Sequence, residues 1–148
     1  MDWQPQPLGS QHLEAMLALD QLALGGYWSR ESYAAECARA NKQMWGVFSG
    51  EELVGFAILW LILEEAHVVM LAVHPDYRRR GIGTTLVKHL LQIATEHHCR
   101  WAILEVRISN QAARCLYENL GFVPLGIRKN YYHHPPEDGL TLWKQLSP

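Results

Sequence analysis

Cysteine, charge and long apolar runs are all scarce in this chain of 148 residues. The three cysteines are odd in number, and no pair has Cys-x-x-Cys spacing, so we expect a reduced, cytoplasmic protein without a disulfide framework. Charged residues make up 19% of the chain and hydrophobic residues 49%. This balance excludes an intrinsically disordered chain and leaves enough apolar material for a core.

The sequence also lacks a strong charge of one sign and any segment suited to a membrane. The net charge is −2 and the pI is about 6.4, so no overall field draws the protein to nucleic acid or to an anionic membrane. The longest apolar run, residues 56–63, is far too short to span a bilayer, and the N-terminus does not resemble a signal peptide. We therefore expect no membrane and no direct nucleic acid partner, and any basic function must be local to the arginines at residues 78–80.

The order of hydrophobic patterns along the chain predicts an α/β protein. Seven segments have the short apolar pattern of strands, and four longer segments carry an apolar stripe at helical spacing. We predict one domain over residues 1–148, with a mixed central sheet of about seven strands and about four helices on its two faces. A parallel strand–helix–strand crossover over residues 66–106 forms its centre.

Local signals place several of these elements. Ser10 and Ser29 each precede a helical pattern and are predicted as the N-caps of the first two helices. The last two strands are predicted at residues 122–127 and 140–146, and they are antiparallel. An aromatic loop with two prolines is expected to join them.

Residues 70–83 carry the strongest functional signal: a buried strand, a turn made rigid by Pro75, three arginines, and two glycines that open a helix. Such a helix start leaves backbone N–H groups at the positive end of the helix dipole, and glycine lets an anion approach closely. It is not a Walker loop, because Thr84 follows Gly83, and not a dinucleotide fingerprint, because Leu86 replaces the third glycine. The pattern predicts a socket for phosphate or pyrophosphate, with a plain turn bearing solvated arginines as the alternative.

Several motifs turn this signal into a family resemblance. Arg-x-x-Gly-x-Gly at residues 78–83 resembles the acetyl-CoA pyrophosphate loop of the GNAT N-acetyltransferases. Within that superfamily, the bacterial ribosomal-protein-alanine N-acetyltransferases are similar to Leu-Glu-Val-Arg-Ile-Ser-Asn at 104–110, Leu-Tyr-Glu-Asn-Leu-Gly-Phe at 116–122 and Arg-Lys-Asn-Tyr-Tyr at 128–132. The resemblance is strong over residues 69–132 and weaker before them. It implies a GNAT fold, with acetyl-CoA as co-substrate.

The resemblance assigns the catalytic chemistry to Glu105 and Tyr117. Acetyl transfer to an amine needs a neutral nitrogen and a proton for the departing thiolate. The family has its general base at the position of Glu105, acting directly or through a water. Its general acid is at the position of Tyr117, a phenol that stays protonated near neutral pH. The residues alone favour a strand carboxylate paired with an arginine for Glu105, and Tyr117 also fits the apolar stripe of its helix.

The resemblance assigns acetyl-CoA binding to two segments and one asparagine. In the family the acetyl carbonyl lies against a backbone bulge at the position of residues 71–73, where an N–H near Val73 would stabilise the oxyanion. Asn110 matches an asparagine that binds the pantetheine or phosphate part of CoA, although it also suits the N-cap of the next helix. The residues expected to bind the cofactor are Leu71, Ala72, Val73, Arg78, Arg79, Arg80, Gly81, Ile82, Gly83, Thr84 and Asn110.

Aromatic residues are the candidates for binding the acceptor. Trp28 is expected to line the substrate groove, and Tyr131 and Tyr132 lie in the loop that borders the substrate in related enzymes. An ordinary ordered hairpin loop is the alternative for these tyrosines. The eight histidines do not have the spacing of a metal site, so we expect no metal.

The predicted activity is transfer of acetyl from acetyl-CoA to the N-terminal α-amine of a protein. The acceptor that the resemblance favours is the N-terminal alanine of a small-subunit ribosomal protein. An acetyltransferase for small-molecule amines and a non-catalytic acyl-CoA-binding module are the alternatives. A binding module needs neither Glu105 nor Tyr117, so their joint presence favours an enzyme. The sequence leaves the oligomeric state open.

Overall fold

The computed structural model describes residues 2–146, and within them it contains seven strands and four α-helices. Two short 3₁₀ turns lie at Ser10–His12 and Pro75–Tyr77. The elements are β1 (Gln6–Pro7), α1 (Leu13–Leu24), α2 (Arg30–Ala38), β2 (Gln43–Ser49), β3 (Glu52–Ile62), β4 (Glu65–Val73), α3 (Ile82–Glu96), β5 (Trp101–Arg107), α4 (Gln111–Asn119), β6 (Val123–His133) and β7 (Pro136–Gln145). The predicted α/β class and the predicted numbers of strands and helices are confirmed.

The strands form one mixed sheet in the order β1-β2-β3-β4-β5-β7-β6. β4 pairs with β5 in parallel where residues 65–67 meet residues 101–103, and α3 connects the two strands. The predicted central crossover is therefore confirmed. β1 pairs with β2 at one edge of the sheet, a position that tolerates Pro7.

The two serines predicted as helix caps behave differently. The Ser29 hydroxyl oxygen accepts a hydrogen bond from the Ser32 N–H at 3.1 Å, so this N-cap is confirmed. Ser10 instead opens a 3₁₀ turn, and no side chain caps α1, so that prediction was wrong. The reason is local, because the Gly9 N–H donates to His12 Nδ1 at 3.0 Å and the His12 N–H donates to the Gly9 carbonyl at 2.9 Å. These two bonds close a turn ahead of the helix.

The last two strands are much longer than predicted. β6 and β7 are antiparallel, and only residues 134–135 separate them. Tyr131 and Tyr132 therefore lie within β6, and the prediction of a long aromatic loop was wrong. The predicted loop contained Pro135 and Pro136, yet Pro136 is compatible with a strand because it stands at the first residue of β7.

By its internal contacts the chain divides into two compact units. The first unit contains residues 2–60 and Met70–Leu90. Its fully buried side chains include Tyr33, Phe56 and Ile82. On β3, a Cβ atom at Gly55 would lie 2.5 Å from Cγ2 of Ile82, so the missing side chain lets the first turn of α3 pack closely on the strand.

The second unit contains Leu61–Val69 and residues 91–146. In it β5 and β7 run antiparallel, with Glu105 opposite Thr141. The rings of Trp101 and Trp143 stack on these strands, with centroids 4.5 Å apart. Helix α4 buries Tyr117, whose ring meets Phe122 edge-on at 5.5 Å. The register thus sets which side chains surround Glu105.

All three cysteines lie among the described residues. Cys37, Cys99 and Cys115 are free thiols, and burial raises the pKa of Cys37 and of Cys99. Of the helices in residues 2–146, none combines the length and the apolar character needed to cross a bilayer.

Candidate active site

The end of β4 leads directly into the segment that was predicted to bind phosphate. The His74 N–H donates to the Val54 carbonyl at 2.8 Å, which holds this end of β4 on β3. His74 then caps the turn at Pro75–Tyr77, because its Nδ1 accepts from the Asp76 N–H at 3.1 Å. The side chain of Ala72 is buried, and those of Leu71 and Val73 are half-buried.

α3 starts at Ile82, and residues 78–81 separate it from this turn. The helix thus begins between the two glycines, as the glycine pattern predicts. Its first hydrogen bond runs from the Thr85 N–H to the Gly81 carbonyl at 3.0 Å. The N–H groups of residues 82–84 therefore belong to the first turn, where a helix offers no internal acceptors. Together with the positive end of the helix dipole, they suit an anion. Gly81 has a φ of 84°, a left-handed conformation that favours glycine.

The three arginines before Gly81 are all exposed. Arg78 Nη2 donates to the Ala23 carbonyl at 3.4 Å. The Arg80 guanidinium lies over the Tyr77 ring, with Cζ 5.0 Å from its centroid. Arg79 has a φ of 64°, uncommon for a residue with a Cβ atom, so the backbone here is held in an unusual conformation.

Trp3 and Gly55 support this segment, and neither was a candidate from the sequence. Trp3 Nε1 donates to the Arg80 carbonyl at 2.9 Å, although 77 residues separate the two. Nothing in the sequence signals such a contact. Gly55 admits the first turn of α3 through its close approach to Ile82. A glycine inside an apolar strand pattern is itself a sign of close backbone approach, so this signal was available.

Glu105 lies on β5 and is about a fifth exposed, with 22% of its side-chain surface accessible. Its Oε2 accepts a hydrogen bond from the Thr141 hydroxyl at 3.3 Å. The same oxygen is 3.9 Å from Nη1 of Arg128 on β6. The carboxylate therefore has an arginine neighbour, which agrees with the alternative that Glu105 is a strand carboxylate paired with an arginine. That arginine is more than half exposed, which weakens the pair.

Tyr117 lies on α4, and only 4% of its surface is exposed. Burial raises the pKa of its phenol well above the ordinary value. The hydroxyl therefore keeps its proton throughout the neutral range. This state suits both a proton donor and a core tyrosine.

Asn110 is the N-cap of α4. Its side-chain oxygen accepts from the Ala113 N–H at 3.1 Å, so the capping interpretation is confirmed. The cap uses only the carbonyl oxygen of the carboxamide, which also carries two N–H donors. Capping is therefore compatible with a second role in binding.

Arg107 joins β5 to the turn between β6 and β7, a role that the motif did not reveal. Its guanidinium donates to the carbonyls of His134 and Pro135 at 3.1 and 2.9 Å, and to Glu137 at 3.2 Å. Glu137 in turn accepts from the Ser109 N–H at 2.7 Å. The bonds from Ser109, followed by those from Arg107, lower the pKa of Glu137. These contacts fix the β6–β7 turn beside the end of β5.

Tyr131 on β6 stands near the candidate base, and the Tyr132 ring lies 5.0 Å from the Tyr131 ring between centroids. Burial, and then the charge of Glu105, raise the pKa of Tyr131. Arg128 lies over the Tyr131 ring at 4.6 Å, and Arg107 lies over the Tyr132 ring at 4.4 Å. The structure therefore brings Glu105 and both tyrosines into one region of the second unit.

Trp28 belongs to the first unit and follows α1. Its ring is half-buried and lies 5.2 Å from the Tyr33 ring and 6.5 Å from the Trp60 ring, measured between centroids. The segments at residues 71–73 and 78–84 belong to the same unit. The structure thus groups Trp28 with the cofactor candidates of the first unit. Among residues 2–146, no group of three or more His, Cys, Asp or Glu side chains is placed to hold a metal ion.

Comparison with known proteins connects this arrangement to a family. The model of the acetyltransferase (GNAT) family matches residues 13–122. The ribosomal protein bS18-alanine N-acetyltransferase of Escherichia coli strain K12 is 36% identical over 132 residues, which cover 89% of this chain and 87% of that enzyme. The enzyme of the same name from Salmonella typhimurium is 34% identical over 125 residues, 84% of each chain.

A solved structure agrees with these relatives. The crystal structure of the ribosomal-protein-S18-alanine N-acetyltransferase from Escherichia coli superposes with a TM-score of 0.91 and 32% identity. The match covers 99% of this chain and 96% of that one. The predicted GNAT fold is confirmed. This chain belongs to the acetyltransferase (GNAT) family and is an acetyl-CoA-dependent N-acetyltransferase.

Proposed function

We propose that this enzyme acetylates the N-terminal α-amine of a protein, and that its acceptor is the N-terminal alanine of a small-subunit ribosomal protein. One observation carries the proposal: the 36% identity to the Escherichia coli enzyme, whose name specifies the alanine of ribosomal protein bS18, extends over 89% of the chain. The chemistry of the candidate site supports it.

The start of α3 fits the pyrophosphate of acetyl-CoA. First-turn N–H groups at residues 82–84 and the exposed guanidinium groups of residues 78–80 suit a doubly charged anion. A Cβ atom at Gly81 would meet no other atom within 4 Å, so the space beside this backbone is open. Asn110 would add carboxamide donors, and the backbone at residues 71–73 would donate to the acetyl carbonyl. When bound, acetyl-CoA supplies the thioester.

Replacing Gly81 with valine should weaken acetyl-CoA binding at least about tenfold, or about 1.4 kcal/mol. The physical reason is twofold. Valine places a branched side chain in the open space where the anion would lie, and it disfavours the left-handed backbone found at φ 84°. Isothermal titration calorimetry with acetyl-CoA measures the effect.

Gly50→Val is a matched control for backbone strain. Gly50 has a φ of 63°, and a Cβ atom there also meets nothing within 4 Å, but it lies in the turn between β2 and β3. Both variants should lose comparable thermal stability, while only Gly81→Val should lose affinity. Equal affinities in the two folded variants would place the pyrophosphate elsewhere.

Two side chains of the second unit suit the proton transfers. Glu105 would take a proton from the amine, directly or through a water, and its partial exposure leaves the carboxylate accessible. Tyr117 would deliver a proton to the departing thiolate, and its raised pKa keeps that proton available. Tyr131 and Tyr132, held by Arg128 and Arg107, would contact the acceptor. Trp28 of the first unit is a separate candidate for acceptor contact.

The acidity of the acceptor favours an α-amine over a lysine. An α-amine has a pKa of about 7.7–8.0, against about 10.4 for a lysine side chain. Near neutral pH an appreciable fraction of the α-amine is already neutral and nucleophilic. A single carboxylate base such as Glu105 therefore has to deprotonate a smaller fraction of an α-amine than of a lysine.

A pair of peptides tests the acceptor. A short peptide with a free N-terminal alanine should be acetylated on its α-amine. The same peptide with a blocked N-terminus and an internal lysine should react at least about tenfold more slowly, because its amine is almost fully protonated. Mass spectrometry of the two products identifies the modified nitrogen.

The possible outcomes are distinct. Preferential labelling of lysine would refute the N-terminal acceptor while leaving acetyl transfer itself intact. Rapid turnover only with polyamines or other small amines would favour a small-molecule acceptor instead. Turnover of the free-alanine peptide together with a low rate on other N-termini would support the ribosomal acceptor.

Two wider features stay predictions. The organisation of residues 1–148 as a single domain rests on chain length. The cytoplasmic location rests on cysteine usage and is consistent with the three free thiols.

A further inference from the structure

Asp20, near the end of α1, has no accessible surface, which is unusual for a carboxylate. Four consecutive backbone N–H groups, those of residues 25–28, point at this one residue. The first two donate to its main-chain carbonyl. The Tyr27 N–H donates to Oδ1 at 2.6 Å, and the Trp28 N–H donates to Oδ2 at 2.9 Å. Asp20 thus determines the path of the chain that leaves α1.

Tyr33 completes the set of donors. Its hydroxyl donates to Asp20 Oδ2 at 2.7 Å, and its side chain is fully buried. Burial and the adjacent carboxylate raise the pKa of this phenol, so it remains a donor. The same hydroxyl lies 3.9 Å from the sulfur of Met70 on β4, next to the segment at residues 71–73. Tyr33 therefore lies between the carboxylate and the strand that is proposed to hold the acetyl group.

Trp28 receives its position from these contacts. Its backbone N–H is bound by Asp20, and its ring lies 5.2 Å from the ring of Tyr33, which is bound by the same carboxylate. Gly25 and Gly26 precede it with φ values of 72° and 83°, so the turn itself depends on a left-handed backbone. Loss of the carboxylate would remove the two hydrogen bonds that join the backbone N–H groups of residues 27 and 28 to α1.

We propose that Asp20 is a positioning residue for the acceptor: by binding the N–H groups of Tyr27 and Trp28, it sets the place of the Trp28 ring at the acceptor groove. The inference rests on the proposed role of Trp28 in that groove. These hydrogen bonds would hold residues 27 and 28 rigidly, although the chain between α1 and α2 has no regular structure. The proposal also predicts that acceptor affinity depends on a buried group that never touches the acceptor.

Asp20→Asn tests the proposal with little change in size. A carboxamide has one acceptor oxygen, and its NH₂ group would face a donor, so three donors cannot all be satisfied. The peptide KM should rise at least about tenfold, in keeping with the loss of hydrogen bonds to a charged group. The affinity for acetyl-CoA should stay within about twofold of the wild type.

A double-mutant cycle with Trp28→Ala separates positioning from general stability. If Asp20 acts through Trp28, the double variant should have the peptide KM of Trp28→Ala alone. If the two effects add, or if acetyl-CoA affinity falls as much as peptide affinity, Asp20 is only a part of the core and the proposal is wrong. Glu14→Gln is the control, because it removes an exposed ion pair with Arg30 that also joins α1 to α2. Its peptide KM should not change.

A milder variant covers the case in which Asp20→Asn does not fold. Tyr33→Phe removes only one of the three donors, so the peptide KM should rise by about threefold, and this rise should disappear in the Trp28→Ala background. An unchanged KM in Tyr33→Phe, with Asp20→Asn unfolded, would overturn the proposal. The wild-type enzyme with the free-alanine peptide tests the proposed function separately. If only another amine is turned over, the proposed function fails, and the same cycle measured with that amine still decides the role of Asp20.

Discussion

Glu105→Gln should lower kcat by about 10²–10⁴-fold while leaving acetyl-CoA affinity nearly intact. Glutamine keeps the size of the side chain and can still accept the hydrogen bond from Thr141, but it has no basicity. The amine would then have to lose its proton to water. Steady-state kinetics with the free-alanine peptide, combined with calorimetry for acetyl-CoA, measure the two effects.

Glu64→Gln controls for the loss of one negative charge in the second unit. Glu64 forms an exposed ion pair with Arg100, 3.8 Å between Oε2 and Nη1, and it has no proposed role in the reaction. Its kcat should equal that of the wild type. A loss below about tenfold in Glu105→Gln would identify Glu105 as a structural carboxylate held by Thr141 and Arg128.

Tyr117→Phe should lower kcat by about 10²-fold or more, because it removes the proposed proton source for the departing thiolate. The ring remains, so its edge-on packing with Phe122 and the fold should be preserved. Because burial raises the pKa of Tyr117, this phenol does not titrate in the usual assay range. The variant should therefore lower the whole pH profile of kcat without moving its alkaline limb.

Thermal unfolding and the pH profile distinguish this role from a structural one. A core tyrosine that only packs would show a changed melting temperature with kcat close to that of the wild type. A shift of the alkaline limb in Tyr117→Phe would mean that the phenol titrates in that range, which would contradict the raised pKa that burial gives it. A uniform loss of kcat with unchanged melting temperature supports a proton donor.

Some local features were predictable because a short stretch of sequence carries the whole cause. Ser29 caps α2 through a bond to a residue three positions away. Ser10, like Ser29, precedes a helical pattern, yet the Gly9 N–H donates to His12 Nδ1 and a turn forms in place of a serine cap. The sequence pattern does not show which of two competing local hydrogen bonds forms, the side-chain cap from Ser10 or the bond between Gly9 and His12.

The β6–β7 hairpin marks where prediction failed. Residues 128–138 combine charges, adjacent tyrosines and two prolines, a composition typical of a loop. In the structure the pairing with β7 extends β6 to His133, while register shifts between Arg128 and Tyr132 absorb the irregularity. Strand pairing gains cross-strand contacts that local composition does not reflect.

By itself, the sequence determined the α/β class, the β4–α3–β5 crossover and the glycine-opened start of α3, because hydrophobic period and glycine placement act over a few neighbouring residues. Only the tertiary structure decided that Thr141 and Arg128 flank Glu105. It also decided that Trp3 donates to the Arg80 carbonyl. The hydrogen bonds from the N–H groups of residues 27 and 28 to Asp20 depend on it as well. These contacts join residues up to 77 positions apart. They depend on strand register and side-chain packing, which are properties of the folded chain and leave no periodic trace in its sequence.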